Sequence, residues 1–118
     1  MKKNLLTTLC LLVTLFVPIA NSECIYPKKN FNIPNGSKAT QDELLEAKAK
    51  LNNWQAVAET YRNCLENELA SIPKESEIFS DLNSTMTAKW NASVEEETDL
   101  ADDLNSAIRA YNKANKAQ

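Results

Sequence analysis

Between residues 44 and 72, apolar side chains recur at alternating three- and four-residue steps, and no other feature constrains the fold as strongly. The spacing holds for four heptads and is broken only where Glu68 replaces an apolar residue. Such a pattern predicts a long α-helix with one apolar face. Its members are Leu44, Ala47, Leu51, Trp54, Ala58, Tyr61, Leu65 and Ile72.

Local signals at both ends bound this first helix at about residues 40–72. Thr40 and Glu43 match a capping box, in which a threonine hydroxyl and a glutamate carboxylate satisfy each other's backbone amides. Pro73 ends the helix because its ring removes a backbone donor and disfavours a helical conformation at Ile72.

A second, patchier helical stripe predicts another helix at about residues 75–116. Its start is uncertain over about ten positions because several serines after Pro73 could cap it. Glu97 interrupts the stripe, and a capping box at 93–96 leaves a helix break near Asn91 as an alternative. The stripe consists of Phe79, Leu82, Met86, Trp90, Val94, Leu100, Leu104, Ala107, Ile108, Tyr111 and Ala114.

Two long helices joined by a short link predict an all-α fold, a long antiparallel two-helix hairpin of coiled-coil type over residues 40–118. Residues 23–39 precede it, with two prolines, a Pro34-Asn35-Gly36 turn and no helical period. This composition indicates an extended arm.

The first 22 residues have the pattern of an export signal. Lys2 and Lys3 are followed by an apolar run and by Ala20-Asn21-Ser22, a small-x-small cleavage sequence. A retained membrane anchor is the weaker alternative because the run of about 15 residues falls short of the roughly 20 that span a bilayer. We therefore expect an exported protein without a stable membrane anchor after cleavage, in the periplasm or, as the alternative, outside the cell.

Two cysteines, Cys24 and Cys64, remain beyond the signal and predict a disulfide, with a pair of free thiols as the alternative. The 16 residue steps from Cys24 to Thr40 span up to about 50 Å, whereas Cys64 lies about 36 Å along the helix. The arm can therefore double back along the first helix. Its candidates for covering the groove between the helices are Tyr26, Phe31 and Ile33.

The composition excludes several classes of function. The 118-residue chain has no histidine and one glycine, which excludes Ser-His-Asp catalysis, histidine-zinc sites and glycine-rich phosphate loops. Beyond residue 22 there are 11 basic and 16 acidic residues, and this net charge of −5 disfavours nucleic acid as a partner. Glu95, Asp99 and Asp103 share a helical face, which we interpret as solvated rather than as a cation site. No catalytic residue, metal site or cofactor is predicted.

The remaining candidate site is an interaction stripe on the two helices. A hairpin covers one stripe of each helix, so a homo-oligomer, such as a four-helix bundle, or an envelope protein partner is expected to cover the rest. The predicted function is that of a noncatalytic exported envelope protein; the alternative is a small ligand-binding or chaperone-like module. The stripe residues are Leu51, Trp54, Tyr61, Leu65, Met86, Trp90, Leu104 and Tyr111.

Several motifs in order resemble a group of small exported, disulfide-containing α-helical proteins of Gram-negative bacteria whose function is uncharacterised. They are C-x-x-P at 24–27, I-P-N-G-S-x-A-T at 33–40, Y-x-x-C-L-E at 61–66, W-N-A-S-V-E at 90–95 and L-N-x-x-I-R-A-Y-N-K at 104–113. Trp90 stands where that group usually has tyrosine, and Leu104 where it has phenylalanine. Both departures keep a large apolar group. The resemblance implies a helical hairpin and export, and it implies no activity.

Overall fold

The computed structural model describes residues 23–116, which form two α-helices and no β-strand. Helix α1 spans Gln41–Ala70 and helix α2 spans Phe79–Lys116. The helices pack antiparallel along their length, which confirms the predicted all-α hairpin. The predicted signal peptide at 1–22 lies outside the described residues. No helix within 23–116 combines the length and apolar character needed to cross a membrane.

The start of α1 is fixed by the predicted capping box. The Glu43 backbone N–H donates to Thr40 Oγ1 at 3.2 Å, and the Thr40 backbone N–H donates to Glu43 Oε2 at 2.7 Å. Each side chain thus satisfies a backbone donor that a helix end leaves without a partner. A cap of this kind stabilises a helix by about 1 kcal/mol.

The turn between the helices is longer than the sequence predicts. Helix α1 ends at Ala70, two residues before the predicted end, because the Ser71 hydroxyl and the Ile72 N–H bond to carbonyls three residues earlier and tighten the last turn. Two further turns follow, and α2 begins at Phe79 instead of about residue 75. From there α2 runs without interruption, so the alternative break near Asn91 is wrong.

The extended arm doubles back along α1 and is joined to it by a Cys24–Cys64 disulfide, with the two Cα atoms 5.7 Å apart. This confirms the predicted pairing. Phe31, of which 6% is exposed, enters the core beside Leu51 and Trp54 of α1 and Leu104 of α2, and Ile33 packs against that cluster. The arm therefore forms a third layer over one half of the hairpin. This half, which we call the proximal half, contains the start of α1 and the end of α2.

Gly36 allows the arm to approach α2 closely. Lys38 and Ala39 donate backbone N–H groups to the Asn35 carbonyl, which forms the predicted turn around Gly36. The turn lies against the backbone of Ala107, and a Cβ built on Gly36 would lie 1.8 Å from the Ala107 carbonyl oxygen. Its φ is not positive, so glycine is needed here for space and not for backbone conformation.

Candidate interaction surface

The structure divides the predicted interaction stripe into a covered part and an open part. Leu51, Trp54, Tyr61, Leu65 and Leu104 are buried within the chain itself. By contrast, Met86, Trp90 and Tyr111 are only partly buried. The eight residues therefore do not form one continuous docking surface.

The arm accounts for much of the covered part. Trp54 Nε1 donates to the carbonyl oxygen of Pro27 at 3.3 Å, which satisfies the indole N–H in the interior. Tyr26 stacks edge-to-face on Tyr61 with ring centroids 5.1 Å apart. Of the three predicted covering residues, Phe31 and Ile33 pack on the core, whereas Tyr26 remains 37% exposed at the arm's edge.

Tyr26 also crosses to the second helix. Its hydroxyl donates to a carboxylate oxygen of Glu96 on α2. Burial raises the pKa of the Tyr26 phenol far above its ordinary value, and the hydrogen bond and negative charge of Glu96 raise it further. The phenol is the donor to Glu96 on α2 while its ring contacts Tyr61 on α1, so a single arm residue contacts both helices.

A polar cluster joins the helices midway along the hairpin. Arg62 Nη1 lies 2.9 Å from Glu97 Oε2 and donates to Ser93 Oγ at 3.0 Å, while Gln55 Nε2 donates to Glu97 Oε1 at 3.2 Å. Ser93 is fully buried, so α1 and α2 approach closely at this level. Glu97, which interrupts the apolar stripe in the sequence, is thus one half of an interhelical ion pair.

We expect the Arg62–Glu97 pair to be worth about 1–2 kcal/mol in a double-mutant cycle of Arg62→Met and Glu97→Gln. The Arg62 and Glu97 side chains are 14% and 27% exposed, so water screens the attraction only in part. Urea unfolding of the four proteins measures the coupling. The matched control is the exposed Glu46–Lys50 pair, 2.7 Å apart on one face of α1. Its coupling should be clearly weaker because both side chains are exposed to solvent, and equal values for the two pairs would contradict the prediction.

Beyond the disulfide, toward the turn, the two helices leave an apolar groove of about 190 Å³. It is lined by Leu65, Leu69, Met86 and Trp90, with Glu66 and Thr87 completing its edge. We call this the distal groove. The disulfide joins the arm to α1 at Cys64, so the groove lies on the turns that continue past the arm's attachment.

Trp90 forms the boundary between the distal groove and the polar cluster. The Arg62 guanidinium carbon lies 6.0 Å from the centroid of its ring, within reach of a cation–π interaction. Its indole N–H is buried and has no hydrogen-bond partner among the described residues. Such a group costs about 1–3 kcal/mol. Trp90 is therefore less well satisfied than Trp54, whose indole N–H is hydrogen-bonded.

One group among the described residues has the composition and spacing of a metal site. Cys24, Cys64 and Glu68 place their ligand atoms within 4.8 Å of one another, but both sulfur atoms are consumed in the disulfide. Glu95, Asp99 and Asp103 are all exposed on α2, as expected for a solvated face.

Comparisons with protein families, with curated proteins and with solved structures found no match to this chain. The geometry of its own residues therefore carries the functional argument.

Proposed function

We propose that this chain is a noncatalytic exported envelope protein that acts by docking another protein's helix in its distal groove. The observation that carries the proposal is the uneven cover of the apolar stripe. In the proximal half the arm and the facing helix bury Leu51, Trp54 and Leu104 and leave Tyr111 partly exposed near the end of α2. Around the groove, by contrast, both Met86 and Trp90 stay partly exposed, and so does the neighbouring Leu69. Paired helices with an apolar groove between them are a common receptor for a third, amphipathic helix.

Export is supported by the disulfide, which is compatible with an oxidising compartment. The sequence adds the basic, apolar and small-residue pattern of its first 22 positions and its resemblance to exported helical proteins. The periplasm is the compartment that we propose.

A noncatalytic role is supported by the chemistry that the chain carries. It has no histidine, and its most buried charged pair, Arg62 and Glu97, is engaged in holding the helices together. General acid–base catalysis needs a side chain that faces a substrate with its proton free to move.

The size of the distal groove favours a protein helix over a small molecule. Pockets for small ligands commonly enclose about 300–1,000 Å³ and bury most of the ligand, whereas this groove offers about 190 Å³ along an open surface. A docked helix would place only a few of its apolar side chains in this space, and the rest of the helix would lie outside on the surface.

A photocrosslinking amino acid at position 86 tests the proposal. Irradiation of producing cells should attach the protein to a partner, and sequencing of the crosslinked peptide should identify a helical segment. The purified partner should then bind the wild-type protein and lose at least about tenfold in affinity for Met86→Gln, the effect of losing about 1.4 kcal/mol of apolar contact.

Leu45, 56% exposed on the proximal part of α1, provides the matched position. A crosslinker there should yield no such adduct, and Leu45→Gln should leave the affinity unchanged. The proposal is wrong if position 86 captures nothing, if both positions capture the same proteins, or if Met86→Gln does not weaken binding of the purified partner.

A further inference from the structure

Charge is distributed very unevenly along the hairpin. Residues 55–100, which form the distal half around the turn, carry ten acidic and three basic side chains, a net charge of −7. The remaining described residues, 23–54 and 101–116, carry eight basic and six acidic side chains, a net charge of +2. The apolar groove thus lies in the acidic end of a strongly polarised molecule.

One acidic side chain lies on the groove itself, and others lie in the same half of the hairpin. Glu66 forms part of its edge, and Glu68 lies half-buried one turn beyond Cys64. Glu77 and Asp81 are exposed near the turn between the helices. Of the three basic residues in this half, Arg62 is already paired with Glu97. Lys74 and Lys89 are exposed in the same half. A ligand in the groove therefore meets an apolar floor with Glu66 at its edge, in a half of the hairpin whose net charge is −7.

We infer that the occupant of the distal groove is a cationic amphipathic helix of another protein, an inference that rests on the function proposed above. Its apolar face would fill the space between Leu69, Met86 and Trp90, and flanking lysine or arginine side chains would face Glu66 and the net negative charge of the distal half. Complementary charge of this kind selects partners and speeds their encounter.

The same charges argue against the other candidate occupants. A second copy that docked distal half to distal half would set two net charges of −7 against each other. Like charges set against each other across an interface are unfavourable. An anionic bilayer surface would repel this end for the same reason. A copy docked the other way round would present its weakly basic half, and light scattering tests that arrangement.

The test is binding of a fluorescent model peptide to the full oxidised protein. The peptide has about 18 residues, or five helical turns, with leucine on one face and lysine on the other. We expect saturable binding that weakens with added salt, because screening acts on exposed charges. Replacing every lysine by glutamate should weaken binding by at least about tenfold, and so should Met86→Gln in the protein. Leu45→Gln is the control.

Each remaining outcome overturns the inference in a distinguishable way. Equal binding of a scrambled lysine–leucine peptide would show unspecific charge attraction. Equal binding of the glutamate peptide would keep the groove as a docking site and refute its charge preference. Dimers in light scattering that depend on Met86, or Met86-dependent binding to phosphatidylcholine vesicles, would identify a different occupant. If no peptide binds, the inference fails, and crosslinking from position 86 still decides the proposed function separately.

Discussion

Replacing both Cys24 and Cys64 by serine is expected to lower the free energy of unfolding by about 4 kcal/mol. The disulfide joins residues 40 positions apart. In the chain-entropy model, closing a loop of that size lowers the conformational entropy of the unfolded chain, which raises the free energy of unfolding by about 4 kcal/mol. Because small domains have only about 5–15 kcal/mol of stability, the loss should be evident in urea unfolding followed by circular dichroism.

The wild-type protein unfolded with a thiol reductant present supplies the control, and it should match the double-serine variant. The helical signal before unfolding should change little, since neither helix contains residues of the arm. A loss below about 1 kcal/mol would contradict the prediction and would mean that residual structure already keeps the arm close to α1 in the unfolded ensemble.

Gly36→Ala is expected to cost about 3 kcal/mol, the upper end of what overpacking costs in a protein core. Where the φ of a glycine suits any residue, its replacement by alanine normally stabilises a protein by about 0.4–1 kcal/mol, because alanine lowers the conformational entropy of the unfolded chain. Here the new Cβ would lie 1.8 Å from the Ala107 carbonyl oxygen and 2.5 Å from its carbon. These atoms belong to the backbone of α2, so the turn of the arm must lift away and loosen the packing of Ile33.

Urea unfolding measures this effect against Lys38→Ala, an exposed change in the same turn that should stay within about 0.5 kcal/mol of wild type. Combining Gly36→Ala with Ala107→Gly should not restore stability, because the atoms in the way are main-chain atoms. If the double variant regained wild-type stability, or if Gly36→Ala alone stabilised the protein, the close approach of Gly36 to the Ala107 backbone would be refuted.

Apolar periodicity was sufficient to predict most of the core. The seven buried residues of α1 are all members of its predicted stripe, and only Ile72 falls outside, because the helix ends before it. On α2, Leu100, Leu104 and Ala107 are buried as the pattern indicates, but Ser93 occupies a core position that periodicity assigned to Val94. A small polar residue gives no apolar signal even where close helix packing requires its size.

The contacts that the arm, α1 and α2 make with one another could not be predicted from the spacing of apolar residues. Pairing of Arg62 with Glu97 depends on the register of the helices, which the start of α2 determines, and the sequence left that start open over about ten positions. The turn at Gly36 was predicted, but its approach to Ala107 is a tertiary contact between distant segments. The distal groove likewise follows from where the arm is attached, which requires the disulfide and the register together.

The attachment of the arm at Cys64 also determines how the molecule carries mechanical load. A pull applied at residue 23 passes through the covalent Cys24–Cys64 link into the last two turns of α1. The arm from residue 25 to Thr40, together with the proximal turns of α1, lies inside the closed loop and bears almost none of the tension. A force between residue 23 and a partner held in the distal groove would therefore load only the part of the hairpin between Cys64 and the groove, while the core around Phe31 remained unloaded.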